Sequence, residues 1–307
     1  MKRKSQLSII IISYNTKTLL KRCIDSLYRF NKDITFELII VDNNSTDGSV
    51  KYLKHLISKQ NIHAIFNTEN LGFSKANNVG VAKATSKYVL LLNSDTEFHS
   101  SILKDMLDWM EQNKKVGIAT CALKNKNGTI QGTGGYFPNL LRVFSWMIIQ
   151  DLPFIDKLIK PFHPMKEKSF IKGDSFYKDK KEVDWVTGAF LLARKIVFEQ
   201  AGDFDEDYFM YTEETDLCYR VKMLGWQVWY LPKWSIVHLG GASGTKENAV
   251  LNEIKGVKLF YKKHYPPWQY PVLRLILKIG FLGRSAIFGI LEGRDSAKTY
   301  AKAFYAA

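Results

Sequence analysis

The chain has 307 residues, 46% of them apolar and 13% aromatic, enough to bury a substantial core in one large domain or one domain with an appendage. Its three cysteines, Cys23, Cys121 and Cys218, lack the number and spacing of a disulfide framework or a zinc site, which points to a reducing compartment. Net charge is +14, and from Ile254 onward ten Lys or Arg face only Glu292 and Asp295, a local +8 that marks a surface for an anionic partner. No nucleic-acid-binding motif accompanies that charge, which leaves an anionic membrane surface.

The basic start MKRKSQ leads into Ser8 to Ile12, too short an apolar run for a signal peptide. Leu7 to Ile12 is read as a first strand, and the protein as cytoplasmic. Leu19, Leu20, Cys23, Ile24 and Leu27 then recur on one helical face. Phe36 to Val41 predicts a second strand, followed by DNNSTDGS and a helix carrying Val50, Leu53, Leu56 and Ile57. His63 to Phe66 predicts a third, followed by NTENLGFSKANNVG and a helix reaching about Ser86. Tyr88 to Leu92 is apolar throughout, as a strand buried on both faces must be. Strand alternating with helix implies right-handed crossovers and a largely parallel sheet, with the loops after the strands gathered at one edge where ligands bind.

Each of those loops is polar: Ser13-Tyr14-Asn15, Asp42-Asn43-Asn44, Asn67 to Asn70, and Asn93-Ser94-Asp95. Together they suit a nucleotide. Tyr14 can stack on a base, Asp42 and Asn43 can meet a pyrimidine's N3 hydrogen and carbonyls, and Asp95 can hold a hard divalent cation bridging phosphates. A plainer reading stands beside this one, in which Asn15, Ser45 and Asp47 cap helices and Asn-Ser-Asp is only a turn. Neither GxGxxG nor GxxxxGK[ST] occurs, which argues against a dinucleotide site or a P-loop.

In order, LSIIIISYN, LIIVDNNSTDGS, NLGFSKANNVG, LLLNSDT and then WVTGAFLLARKIVFEQAGDFDEDYFMYTEETDLCYRVKMLGW resemble the inverting family-2 glycosyltransferases of GT-A fold, most of all rhamnosyltransferase-like members. The resemblance covers roughly residues 6 to 265 and is weakest over 136–184. It implies a nucleotide-diphospho-sugar transferase fold, α/β with a mixed, mainly parallel, Rossmann-like sheet. Residues 1–100 form its nucleotide-binding half, 101–265 its acceptor and catalytic half, and 266–307 a basic amphipathic helical tail.

The same resemblance implies a dTDP- or UDP-sugar donor held by Ser13, Tyr14, Asn15, Asp42, Asn43, Asn70, Gly72, Phe73, Asn77, Asn93, Ser94 and Asp95, with Mg²⁺ or Mn²⁺ on Asp95 and His238. Asp95 closes an Asp-x-Asp motif whose first carboxylate is here Asn93, so more of the coordination falls to diphosphate and water. His238, in VHLGGASG, is the second ligand or phosphate contact by resemblance, and a structural residue by the plainer reading.

For the base, Glu213, Glu214 and Asp216 open a helix whose apolar side is Leu217, Cys218, Val221 and Leu224, where the dipole favours ionised carboxylates. An inverting transfer needs one of them to take the acceptor proton. The family's Glu-Asp-x-Asp puts the base at Glu214, here one methylene longer, with Asp216 in reserve. Trp185, Gly188 and Ala189 resemble the wall between donor and acceptor, with Arg220 a further substrate contact or a surface partner.

In the tail, Tyr270 to Leu291 is apolar but interrupted by Arg274, Lys278 and Arg284, too many cations for a spanning helix and suited to an interfacial one, with Trp268, Tyr270 and Phe281 at the headgroup boundary. Packing on the domain is the alternative. The expected acceptor is a glycan or a lipid-linked glycan, and the expected location the inner face of the cell membrane. A sugar-phosphate nucleotidylyltransferase is the competing enzyme class, but SYNTKT lacks its glycine-rich phosphate loop; a non-catalytic nucleotide-sugar or glycan binder is the third class.

Overall fold

The structure, a computed structural model, describes residues 5–57, 62–150, 158–164, 174–240 and 245–307. Strand and helix alternate first as β1 (Leu7–Ser13), α1 (Lys17–Phe30), β2 (Phe36–Asp42), α2 (Ser49–Ile57), β3 (Ile62–Phe66), α3 (Gly72–Val81) and β4 (Tyr88–Asn93). The third helix ends before Ser86 because the chain tightens into i→i−3 turns, Lys83 N to Gly80 O at 3.1 Å and Ala84 N to Val81 O at 3.0 Å, ahead of β4. These strands lie side by side in the order β3-β2-β1-β4, all parallel, with Leu7 opposite both Phe36 and Tyr88. Adjacency of the four polar loops at one sheet edge follows.

The chain continues through β5 (Thr96–Glu97), α4 (Leu103–Gln112), β6 (Val116–Lys124), β7 (Gly134–Gly135), α5 (Leu140–Phe144), β8 (Lys181–Val183), β9 (Trp185–Val186), β10 (Phe190–Arg194), α6 (Lys195–Ala201), α7 (Glu213–Met223) and β11 (Gln227–His238). Beyond β4 the sheet runs β10-β6-β11-β5, with β10 antiparallel to both neighbours and β6 parallel to β11. The sheet is therefore mixed, with its parallel part on the side of the polar loops. Alternate residues of the central strands feed two cores, Ile10, Val41 and Leu91 on one face and Ile9, Ile11, Leu90 and Leu92 on the other.

Three helices end the chain: α8 (Lys246–His264), α9 (Gln269–Leu291) and α10 (Arg294–Ala306). They are continuous with the core. Leu273, Leu277 and Phe281 are fully buried in the cluster that holds Val143, Met147 and Tyr300. Phe281 therefore cannot sit at a headgroup boundary, since the helix turns it inward with Leu273 and Leu277. Leu224 also departs from expectation at 52% exposed, because α7 stops at Met223 and Gly225 turns the chain at φ +85°.

Candidate active site

The polar loops are stitched to one another. Asn43 N donates to Ser13 O at 2.8 Å, and Ser94 Oγ lies 3.0 Å from Thr16 Oγ1. Asn15 adopts φ 54° and accepts from Thr46 N at 2.7 Å, which ties the first loop to the second rather than capping a helix. Asn43, Asn67 and Asn70 form a staple: Asn43 Nδ2 donates to Asn70 Oδ1 and Gly72 O, while its Oδ1 accepts from Asn67 Nδ2 at 2.8 Å. Its amide is thus spent on holding the third loop rather than presented to a base. Ser13 is buried against Thr16, and Asn77 donates back to Phe73 O within α3, so both position the loops from behind. Asp42 differs: it is fully buried, its Oδ1 accepts from Ser45 N at 2.9 Å, and its Oδ2 has no hydrogen-bond partner among the described residues. A buried carboxylate oxygen without a donor is costly unless a ligand supplies one. Tyr14, 36% exposed, stands at the rim of the same edge.

Around β4 the second half closes in. Asn93 N donates to Ala189 O at 3.1 Å, and a Cβ on Gly188 would meet the Phe73 ring at 2.9 Å. Gly72, at φ +79°, leaves room for Phe209, whose ring and carbonyl would lie 2.6 Å from any Cβ there. Phe73 N donates to that carbonyl at 2.7 Å. NLGF, VTGA and DYFM, far apart in sequence, therefore meet at one point. Trp185 is buried, donates Nε1 to Phe162 O at 3.2 Å and packs edge-on to His163, so its face is not offered to a sugar.

Asp95 Oδ1 lies 3.3 Å from His238 Nε2. The orientation of that ring is fixed from behind by a residue with no sequence signal, Gln131. Its Nε2 donates to Asn125 Oδ1 and to His238 O, both at 2.7 Å, which turns Oε1 toward His238 Nδ1 at 2.8 Å. Nδ1 therefore carries a proton for Gln131, and Nε2 is the ring nitrogen turned toward the Asp95 carboxylate. Two electron-pair donors converging in this way fit a divalent cation. Among the described residues no group of three or more His, Cys, Asp or Glu could hold a metal, so this pair is what they offer. Of the glycines after His238, Gly240 adopts φ 64°, while Gly241 and Ser243 lie outside the described residues.

Ahead of α7 the backbone is strained: Tyr211 at φ 70° and Thr212 at φ 73° are left-handed without being glycine. Thr212 is held there by α8, where a Cβ on Gly256 would come within 2.5 Å of its Oγ1. Glu213 is 3% exposed and Glu214 half-buried, and beyond each other their Oε2 atoms have no partner among the described residues. Burial raises both carboxyl pKa values, that of Glu213 furthest because the Glu214 charge adds to it; backbone N–H groups at the helix start oppose this without prevailing. The expectation that the dipole keeps these groups ionised thus gives way to desolvation. Of the two, Glu213 is raised further, so Glu214 is the member that ionises first as pH rises.

Asp216 is placed differently. Its side chain is 1% exposed, with Arg220 Nε donating at 2.9 Å and His264 Nε2 at 2.6 Å. Burial raises its carboxyl, but His264 and Arg220 together outweigh that and hold it below the usual carboxylate range. Arg220 also donates to the carbonyls of Ala201, Gly202 and Asp203. Both residues expected near substrate are spent on one internal network. His264, stacked near Tyr219, was not foreseen, because nothing in sequence ties it to a helix 48 residues earlier.

The family model described as glycosyl transferase family 2 matches residues 8–178. Among curated proteins the chain is 23% identical over 286 residues to N-acetylglucosaminyl-diphospho-decaprenol L-rhamnosyltransferase of Mycobacterium tuberculosis, covering 89% of each chain. It is 24% identical over 237 residues to rhamnosyltransferase WbbL of Escherichia coli, covering 75% of this chain and 82% of that one. Solved structures with the same GT-A fold include GalNAc-T7 with UDP, GalNAc and Mn²⁺, at a TM-score of 0.61 and 13% identity, covering 86% of this chain and 49% of that one. Another is the mannosyltransferase PcManGT of Pyrobaculum calidifontis with GDP-Man and Mn²⁺, at 0.56 and 16%, covering 100% and 76%.

Proposed function

Since the chain belongs to glycosyl transferase family 2, and is by that membership a hexosyltransferase, we propose that it inverts the donor's anomeric centre, moving L-rhamnose from dTDP-rhamnose onto a lipid-linked or cell-surface glycan. The observation that carries the reading is Glu214: a half-buried carboxylate at a helix start, behind strained backbone, with an oxygen that has no hydrogen-bond partner among the described residues. Such a group can take the acceptor hydroxyl's proton while that oxygen attacks the anomeric carbon and the diphosphate departs from the opposite face. Asp42 Oδ2 accepts the pyrimidine N3–H, Tyr14 covers the base, and Asp95 with His238 Nε2 holds Mg²⁺ or Mn²⁺. The cation, when bound, supplies charge that stabilises the leaving diphosphate. Rhamnose and a lipid diphosphate acceptor are favoured by what the two relatives are named for. Work at the inner face of the membrane suits such an acceptor.

Calorimetric titration with dTDP-rhamnose, UDP-galactose, UDP-glucose and GDP-mannose, each with Mn²⁺ and with EDTA, tests the donor. Tight binding of dTDP-rhamnose that EDTA weakens is expected, and preference for GDP-mannose sinks the pyrimidine reading. Asp42→Asn keeps an acceptor for Ser45 N but turns an amide donor toward N3–H, so it should weaken donor binding by about 10- to 100-fold. Asp95→Ala should remove the Mn²⁺ dependence. The one-bond carbon–proton coupling at the product's anomeric centre tests inversion directly, because the equatorial H2 of rhamnose leaves the H1–H2 coupling small in both anomers.

A further inference from the structure

Helix α9 is apolar on two opposite sides. Leu273, Leu277, Gly280 and Phe281 face the core. Val272, Leu275, Ile279, Leu282 and Ile290, spaced three, four and eight apart with exposed Ala286 bridging the longest gap, form a second stripe that is 38–86% exposed. Trp268, 63% exposed, extends that stripe one turn further. A surface helix needs a single apolar stripe to pack, so the outward one has to be accounted for by something outside the chain.

Charge says what that is. Helix α9 contains no Asp or Glu, and one flank of its outward stripe carries Arg274 and Lys278 beside Lys258 and Lys262 of α8. Burial, then the charges of Arg274, Lys262 and Lys278, lower the Lys258 ammonium pKa, which shows how closely these cations gather. Their contacts are with carbonyls and rings: Lys258 with Ala306 O, Arg274 with Ala307 O, Lys262 over Tyr270 and Lys278 over Phe304. None of the four pairs with an Asp or Glu side chain among the described residues, and Arg274 alone meets the oxygen of the last residue. No described helix is long and apolar enough to cross a membrane.

We propose that the outward face of α9 docks the protein on an anionic lipid bilayer, the stripe entering the headgroup boundary and the cation flank meeting lipid phosphates. A second copy of the chain would cover the stripe but bring the same unneutralised flank, whereas anionic headgroups answer both features. The surface deepens the proposed function, resting on its lipid-linked acceptor for purpose, and it is tested without that acceptor.

Flotation of the full chain with phosphatidylcholine vesicles, with and without phosphatidylglycerol, should show binding that needs the anionic lipid and weakens with salt. Leu275→Glu combined with Leu282→Glu, at residues 59% and 64% exposed, should weaken it by at least about tenfold. Lys262→Gln with Lys278→Gln should remove the preference for anionic lipid. Donor binding unchanged in both variants shows that they fold. Vesicle binding insensitive to the stripe overturns the proposal, as does a dimer in sedimentation velocity that the stripe variant dissolves while vesicles go unbound. Failure of donor binding with vesicle binding intact would count against the proposed function alone.

Discussion

Glu214→Gln is expected to leave donor binding unchanged and to lower kcat by about 10²- to 10⁴-fold, the range that removal of a general base commands. The substitution keeps side-chain volume and an acceptor for Glu213, and it removes only the capacity to take a proton. Because the pKa of Glu214 is raised and the ionised form is the active one, wild-type kcat/KM should fall as pH drops through a value above the usual glutamate range. Glu213, the neighbouring carboxyl whose own pKa is raised further, is expected to set that limb through its contact with Glu214. Glu213→Leu deletes the donor and should move the limb to higher pH; Glu213→Gln retains a donor and should leave it in place. A limb that responds identically to both would show that the two glutamates do not share a proton.

Much of the donor half was legible because its signals are local. Ile9 to Ile11 and Leu90 to Leu92 are buried on both faces and read as strands from their own composition, and strands alternating with helices admit few arrangements. The loop contents were legible for the same reason, but the use made of each residue was not. Asn43 and Asp42 are neighbours with similar promise, yet one is spent on the third loop and the other keeps an oxygen unpartnered, a difference decided by residues more than 20 positions away. Gln131 belongs to the same class. It orients His238 from 107 residues away, on a stretch with no motif. The charges on α7 were read correctly as to place, and Asp216 as to state, but at Glu213 and Glu214 burial, which sequence shows poorly, outweighs the helix dipole.

A second large effect is expected where the charge is kept, on replacement of Asp216 by Asn. Arg220 and His264 both donate to this carboxylate, whose side chain is 1% exposed, so removing its charge leaves two half-buried donors without a counter-charge. Breaking one partner of such a group costs about 3–5 kcal/mol, and in a chain of this size the melting temperature should fall by roughly 5–10 °C. The pH dependence follows in sign. A carboxyl held below its unfolded value contributes stability above the ordinary carboxylate range and loses it as pH falls through the lowered value. The gap between wild type and Asp216→Asn should therefore be full at neutral pH and close in acid. His264→Gln should reproduce part of the loss while sparing turnover measured below its own melting point. An Asp216→Asn protein with wild-type stability and no turnover would instead make Asp216 the base and Glu214 its support, reversing the roles that burial and hydrogen bonding assign.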